Sequence, residues 1–70
     1  MADIAFQQRV KMLQNVNVAR CCFESYEDFE LSQAAKIGGG KRRFEVGQFY
    51  DLKYERAEDW LIAGFCDYVY

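Results

Sequence analysis

Apolar positions recur along this chain with more than one period, and each period predicts a different element. Near the start, Phe6, Val10 and Leu13 stand at i, i+4 and i+7, which places them on one face of a helix that Asp3 can cap. Asn15, Val16 and Asn17 interrupt that pattern. From Val16 to Glu24, β-branched and aromatic residues gather, and a strand is expected there. Ser25 followed three places later by Asp28 resembles a capping box, so a second helix begins at this point with the acidic first turn that suits its dipole. Lys36 in the last turn and the run Gly38, Gly39, Gly40 supply its end, because glycine enters the left-handed conformation without steric cost. Tyr26, Leu31, Ala34 and Ile37 share half of that wheel, but Glu27 and Glu30 fall there too, so only partial packing on a sheet is expected.

Alternation is clearest from Arg43 to Glu55. Phe44, Val46, Tyr50, Leu52 and Tyr54 fall on one face, and Arg43, Glu45, Asp51, Lys53 and Glu55 on the other, which predicts a half-buried strand. Gly47 within it marks a bulge or bend. After a turn over 55–59, Trp60 to Val69 reads as a last strand apolar on both faces, which asks for cover on both sides. The predicted fold class is α+β: a small antiparallel sheet of about three strands packed with one or two helices, in the order α-β-α-β-β, as a single domain over residues 1–70.

Composition sharpens this picture. A 70-residue chain buries only about 60% of the surface its unfolded form exposes, and so small a core is commonly supplemented by disulfides, a metal or a partner. Cys21 and Cys22 are adjacent and Cys66 stands alone, a poor disulfide framework. With no histidine and no Cys-x-x-Cys pair, no metal site and no cofactor is expected. A hydrophobic share of 51% and an aromatic share of 17% predict folding rather than disorder. No window is long and apolar enough for a membrane helix, and residues 1–12 lack the zones of a signal peptide, so a cytoplasmic protein that does not contact membrane is expected.

The residue inventory also limits the chemistry. Histidine and threonine are absent and Ser25 has a capping role, so the usual nucleophile and base pairs cannot be assembled; no enzyme is expected. Cys22 reads as a small core hydrophobe. The run Gly38 to Arg43 fails as a phosphate loop, because Ala35 and Arg42 occupy the places of the first Gly and of the Ser or Thr, and the glycines follow a helix instead of preceding one.

What remains is binding. The net charge of −2 conceals an acidic cluster (Glu24, Glu27, Asp28, Glu30) and a basic one (Lys41, Arg42, Arg43, with Lys36 nearby). Phe49 sits on an otherwise polar strand face and Tyr70 is terminal; with Trp60 they are candidate interface anchors. The expected partner-binding residues are therefore Glu27, Asp28, Glu30, Lys41, Arg42, Arg43, Phe49, Trp60 and Tyr70. In size, acidity and strand-helix-strand layout the chain resembles small phage-encoded proteins that disable host machinery, anti-CRISPR proteins among them. That resemblance is one of layout, and it implies an inhibitor or regulator that occludes a protein or nucleoprotein partner in the host cytoplasm. Two other classes are a nucleic-acid-binding regulator using residues 41–43, and a homodimer or larger homo-oligomer built on the two-faced strand Trp60 to Val69.

Overall fold

The computed structural model describes residues 7–70. It is α+β, with strands β1 (Gln7–Met12), β2 (Val16–Val18), β3 (Ala35–Ile37), β4 (Lys41–Phe44), β5 (Phe49–Lys53) and β6 (Cys66–Tyr68), and helices α1 (Tyr26–Leu31) and α2 (Tyr54–Ala63). The strands form two antiparallel three-stranded sheets, ordered β5-β1-β6 and β2-β4-β3. Chain order is thus β-β-α-β-β-β-α-β rather than α-β-α-β-β.

The first segment is a strand, not a helix. Its period of two, with Val10 and Met12 buried and Arg9 and Lys11 exposed, outweighs the helical coincidence that included Leu13, which is exposed. As the central strand of its sheet, β1 pairs Val10 with both Tyr50 and Tyr68, and Met12 with Cys66. The Asp3 cap and Phe6 lie outside the described residues. The second strand also stops early, at Val18, and passes into a single 3-10 turn over Arg20–Cys22.

Helix α1 starts as its sequence predicts, with the Asp28 amide donating to Ser25 Oγ at 3.0 Å. It ends at Leu31, well before the glycines. The Ser32 hydroxyl accepts from the Ala34 amide, a local bond that offers the backbone an alternative to another helical turn. Residues Ala35–Ile37 instead pair with β4, and Gly38 to Gly40 turn this hairpin, with Gly39 and Gly40 at φ near 74° and 75°.

The long predicted strand is divided. Phe44 belongs to one sheet and Tyr50 and Leu52 to the other, joined by a turn in which the Gln48 amide donates to the Glu45 carbonyl. Gly47, at φ 83°, donates from its amide to the Met12 carbonyl, so this turn docks on the end of β1. Val46 and Tyr54, expected inside, are exposed.

The turn predicted over 55–59 and the first four residues of the last predicted strand belong to helix α2, and only Cys66–Tyr68 of that strand is a strand. In α2, Ala57 and Trp60 face inward one turn apart while Ile62 is 78% exposed, which explains an apolar run that as a strand would need cover on two faces. Gly64 at φ 86° closes the helix. Its amide donates to the Leu61 carbonyl and that of Phe65 to the Trp60 carbonyl, and the Trp60 and Phe65 rings meet at 5.9 Å, the bonds and apolar contact of a Schellman motif. The buried residues form one cluster, in which Phe44 makes edge-on contacts with Tyr50 at 5.1 Å and Trp60 at 4.9 Å.

Candidate functional site

The residues expected to bind a partner divide into three groups. Glu27 and Glu30 are exposed on α1, but Asp28 between them is only 1% exposed. Its Oδ2 accepts from Arg56 Nε at 2.8 Å and from the Glu24 amide at 3.3 Å. Arg56 in turn donates from Nη2 to the Cys22 carbonyl and lies over the Phe23 ring. Asp28 is therefore a structural link between the two helices and offers a partner no free carboxylate, which corrects its expected role. A residue drawn from an acidic run is buried here because the opposite helix brings a guanidinium to it.

The exposed charged side chains on the two helices themselves are all acidic, although Arg20, from the preceding 3-10 turn, lies over Tyr26 of α1. Glu24 precedes α1, Glu27 and Glu30 lie on it, and Glu58 and Asp59 lie on α2; among the described residues none of these five forms an ion pair. Glu55 meets Lys53 at 4.0 Å. The one cation on either helix is Arg56, already bonded to Asp28. Ile62, one turn after Glu58 and Asp59, adds an exposed apolar side chain to the same helix.

The basic cluster lies on a strand, not in a loop, so it is split by the pleat. Lys41 and Arg43 are exposed, Arg43 facing Glu45 at 3.6 Å. Arg42 points the other way, its guanidinium 4.2 Å from the centroid of the Phe29 ring. Arg20 reaches the same ring at 5.2 Å and the Tyr26 ring at 4.6 Å. Lys36 stands opposite Arg42 in the hairpin register. The glycine hairpin supplies a further contact, since a Cβ on Gly40 would lie 3.7 Å from Arg20 Cβ. Sequence reading missed Arg20, Tyr26 and Arg56 as members of these surfaces, because tertiary contact alone unites them; Lys36 was visible only as a neighbour of the basic run.

The aromatic candidates separate by burial. Phe49 is 52% exposed on the outer face of its sheet, opposite Lys11 and near the Arg9–Asp51 cross-strand ion pair. Tyr70 is fully exposed beside Tyr68. Trp60 is buried in the core, so the expectation of a tryptophan anchor is corrected: α2 turns that ring onto Phe44. Cys22 is likewise corrected, being exposed with Cys21, while Cys66 is the buried cysteine. Burial, then the Asp67 charge, pushes the Cys66 thiol up to about 11. Tyr68 is also raised, first by desolvation and then by its Tyr54 and Glu58 neighbours.

Among the described residues, no helix is long and apolar enough to cross a membrane, and no group of three or more acidic or thiol side chains is arranged to hold a metal ion. Comparison with protein-family models, curated proteins and solved structures finds no match to this chain.

Proposed function

We propose that this chain is a non-enzymatic protein-binding module, an inhibitor or regulator that occupies a basic surface of a protein or nucleoprotein partner. One observation carries the reading: a buried Asp28–Arg56 pair links the two helices, uses their one cation internally and leaves Glu27 and Glu30 on α1, Glu58 and Asp59 on α2, and Glu24 just before α1 without ion partners among the described residues. Charge of a single sign steers encounter and excludes wrong partners more than it adds affinity, so an apolar anchor is needed as well. Ile62 supplies one beside Glu58 and Asp59, in keeping with an interface whose apolar centre has a polar rim. The two-faced strand expected to carry self-association is replaced by α2 and the short β6.

The test is capture of partners from lysate on immobilised protein, with and without nuclease, using wild type and Ile62→Ser. A stoichiometric protein that survives nuclease and is lost with Ile62→Ser supports the reading. Retention of nucleic acid alone, or of proteins that ignore the substitution, contradicts it.

A further inference from the structure

The acidic helical residues leave a cluster of cations elsewhere among the described residues without a role. Arg20, Lys36 and Arg42 come from three different elements, the 3-10 turn, β3 and β4; the two arginines meet on the Phe29 ring, and Lys36 stands opposite Arg42 in the hairpin register. Among the described residues none of the three forms an ion pair. That arrangement is costly. Lys36 and Arg42 are directly opposite in an antiparallel pair, where like charges repel, and Arg42 Nε is buried with no hydrogen-bond partner among the described residues. Stacking on Phe29 compensates the faces of the guanidinium groups but leaves their edge donors to find an acceptor. The buried Nε of Arg42 stays out of reach, but the rest of that half-buried guanidinium and the exposed Arg20 one make no hydrogen bond among the described residues, and a phosphodiester oxygen suits them, since guanidinium donors match phosphate geometry and ammonium groups add charge.

Beside this cluster is a stacking platform. Tyr26 is 61% exposed, with Arg20 over its ring. An exposed tyrosine next to a cationic groove is the combination by which proteins hold single strands, the cations following the backbone while a base lies on the ring. A duplex keeps its bases stacked on one another and offers the ring nothing. We propose that Arg20, Lys36, Arg42 and Tyr26 form a binding site for single-stranded nucleic acid, with phosphate at the guanidinium edges and a base on Tyr26. The site uses none of Glu58, Asp59 and Ile62 and goes beyond the protein-binding reading: a module with both surfaces fits a nucleoprotein target, whose basic protein and single-stranded nucleic acid it can engage together. Glu30, one helical turn from Tyr26, is the nearest carboxylate by helix position and opposes binding, so its removal is a positive control.

Fluorescence anisotropy of a labelled oligothymidylate of about 15 nucleotides, titrated with the purified chain at low salt, tests this directly. Wild type binds, and the logarithm of its affinity falls with that of salt concentration with a slope of about −2 for three contacts. Arg42→Met reduces the slope by about 0.7. Tyr26→Ala weakens binding about tenfold. Because Arg42 packs on Phe29 and its loss can disturb the fold, Lys36→Gln and Tyr26→Ala, both at exposed positions, carry the test independently. Glu30→Gln tightens binding, and Lys11→Ala, on the outer face of the other sheet, leaves it unchanged. No anisotropy change up to ~100 µM protein at low salt overturns the proposal, because even non-specific sites bind nucleic acid in that range. So does binding that survives Lys36→Gln and Tyr26→Ala, or a duplex bound as tightly as the single strand. Loss of the protein partner on Ile62→Ser with oligonucleotide binding intact separates this site from the acidic surface.

Discussion

Arg56 Nε lies 2.8 Å from Asp28 Oδ2, with the carboxylate side chain wholly removed from solvent and the arginine nearly so. The contact joins α1 to α2 across residues far apart in sequence. Its surroundings are only partly satisfied, since Asp28 Oδ1 has no hydrogen-bond partner among the described residues. Such a pair adds little to stability relative to apolar packing, but removing one member strands a buried charge.

Asp28→Ala is therefore expected to cost about 3–5 kcal/mol, as is Arg56→Ala. A chain of this size holds only about 4–10 kcal/mol in total, so either variant should be largely unfolded or melt far below wild type in urea titration. The double variant Asp28→Leu/Arg56→Met should recover most of the loss. If the single substitutions are as stable as wild type, the junction does not hold the helices.

Gly64 tests the reassignment of the start of the last predicted strand to the end of α2. At φ 86°, with open space where a side-chain methyl group would stand, Gly64→Ala meets no clash, so its cost is backbone strain alone, about 1–2 kcal/mol. For a domain of this length that is a fall in Tm of at least about 4–8 °C. Gly38 also has open space, but its φ is not positive, so Gly38→Ala should be neutral or slightly stabilising. Equal effects at the two positions would contradict the helix end described for α2.

Thiol labelling separates the cysteines. Cys21 and Cys22 are exposed and should react at once with an aromatic disulfide reagent, whereas Cys66 should react only as the fold opens. The raised Cys66 pKa also fixes the sign of a pH effect. The unfolded thiol loses its proton first, near 9.0, while the folded one holds it to about 11, so this group's contribution is fully present below pH 9 and is lost as pH rises through that window. Cys66→Ala should flatten the fall in stability over that range, measured by urea titration at several pH values; an unchanged slope would show that other groups cause it.

The α+β class, the Ser25 cap and the exposure of Phe49 were legible in the sequence because each depends on near neighbours. The errors lie where two periods fit the same residues. Val10 serves a helical reading with Phe6 and Leu13 and a strand reading with Met12, and pairing with Tyr50 and Tyr68 decides it. Trp60 to Val69 is apolar at almost every position, which hides its period; Gly64 was the available clue to a helix end. The charge clusters were visible as runs, but their division was not. Whether Asp28 is free or buried depends on Arg56, and whether Arg42 faces outward or onto Phe29 depends on the pleat of β4.

The central claim, that the helical carboxylates meet a partner, is tested most directly by charge reversal on exposed positions that leave the buried pair intact. Wild type, Glu27→Lys/Glu58→Lys/Asp59→Lys and Lys41→Glu/Arg43→Glu are immobilised in turn, and nuclease-treated lysate is passed over each, with retained proteins quantified by mass spectrometry. A stoichiometric protein should be held by wild type and by the Lys41/Arg43 variant, and lost by the acidic-face variant with its fold intact by circular dichroism. Retention unaffected by the acidic-face variant, or abolished by the basic one instead, would contradict the claim.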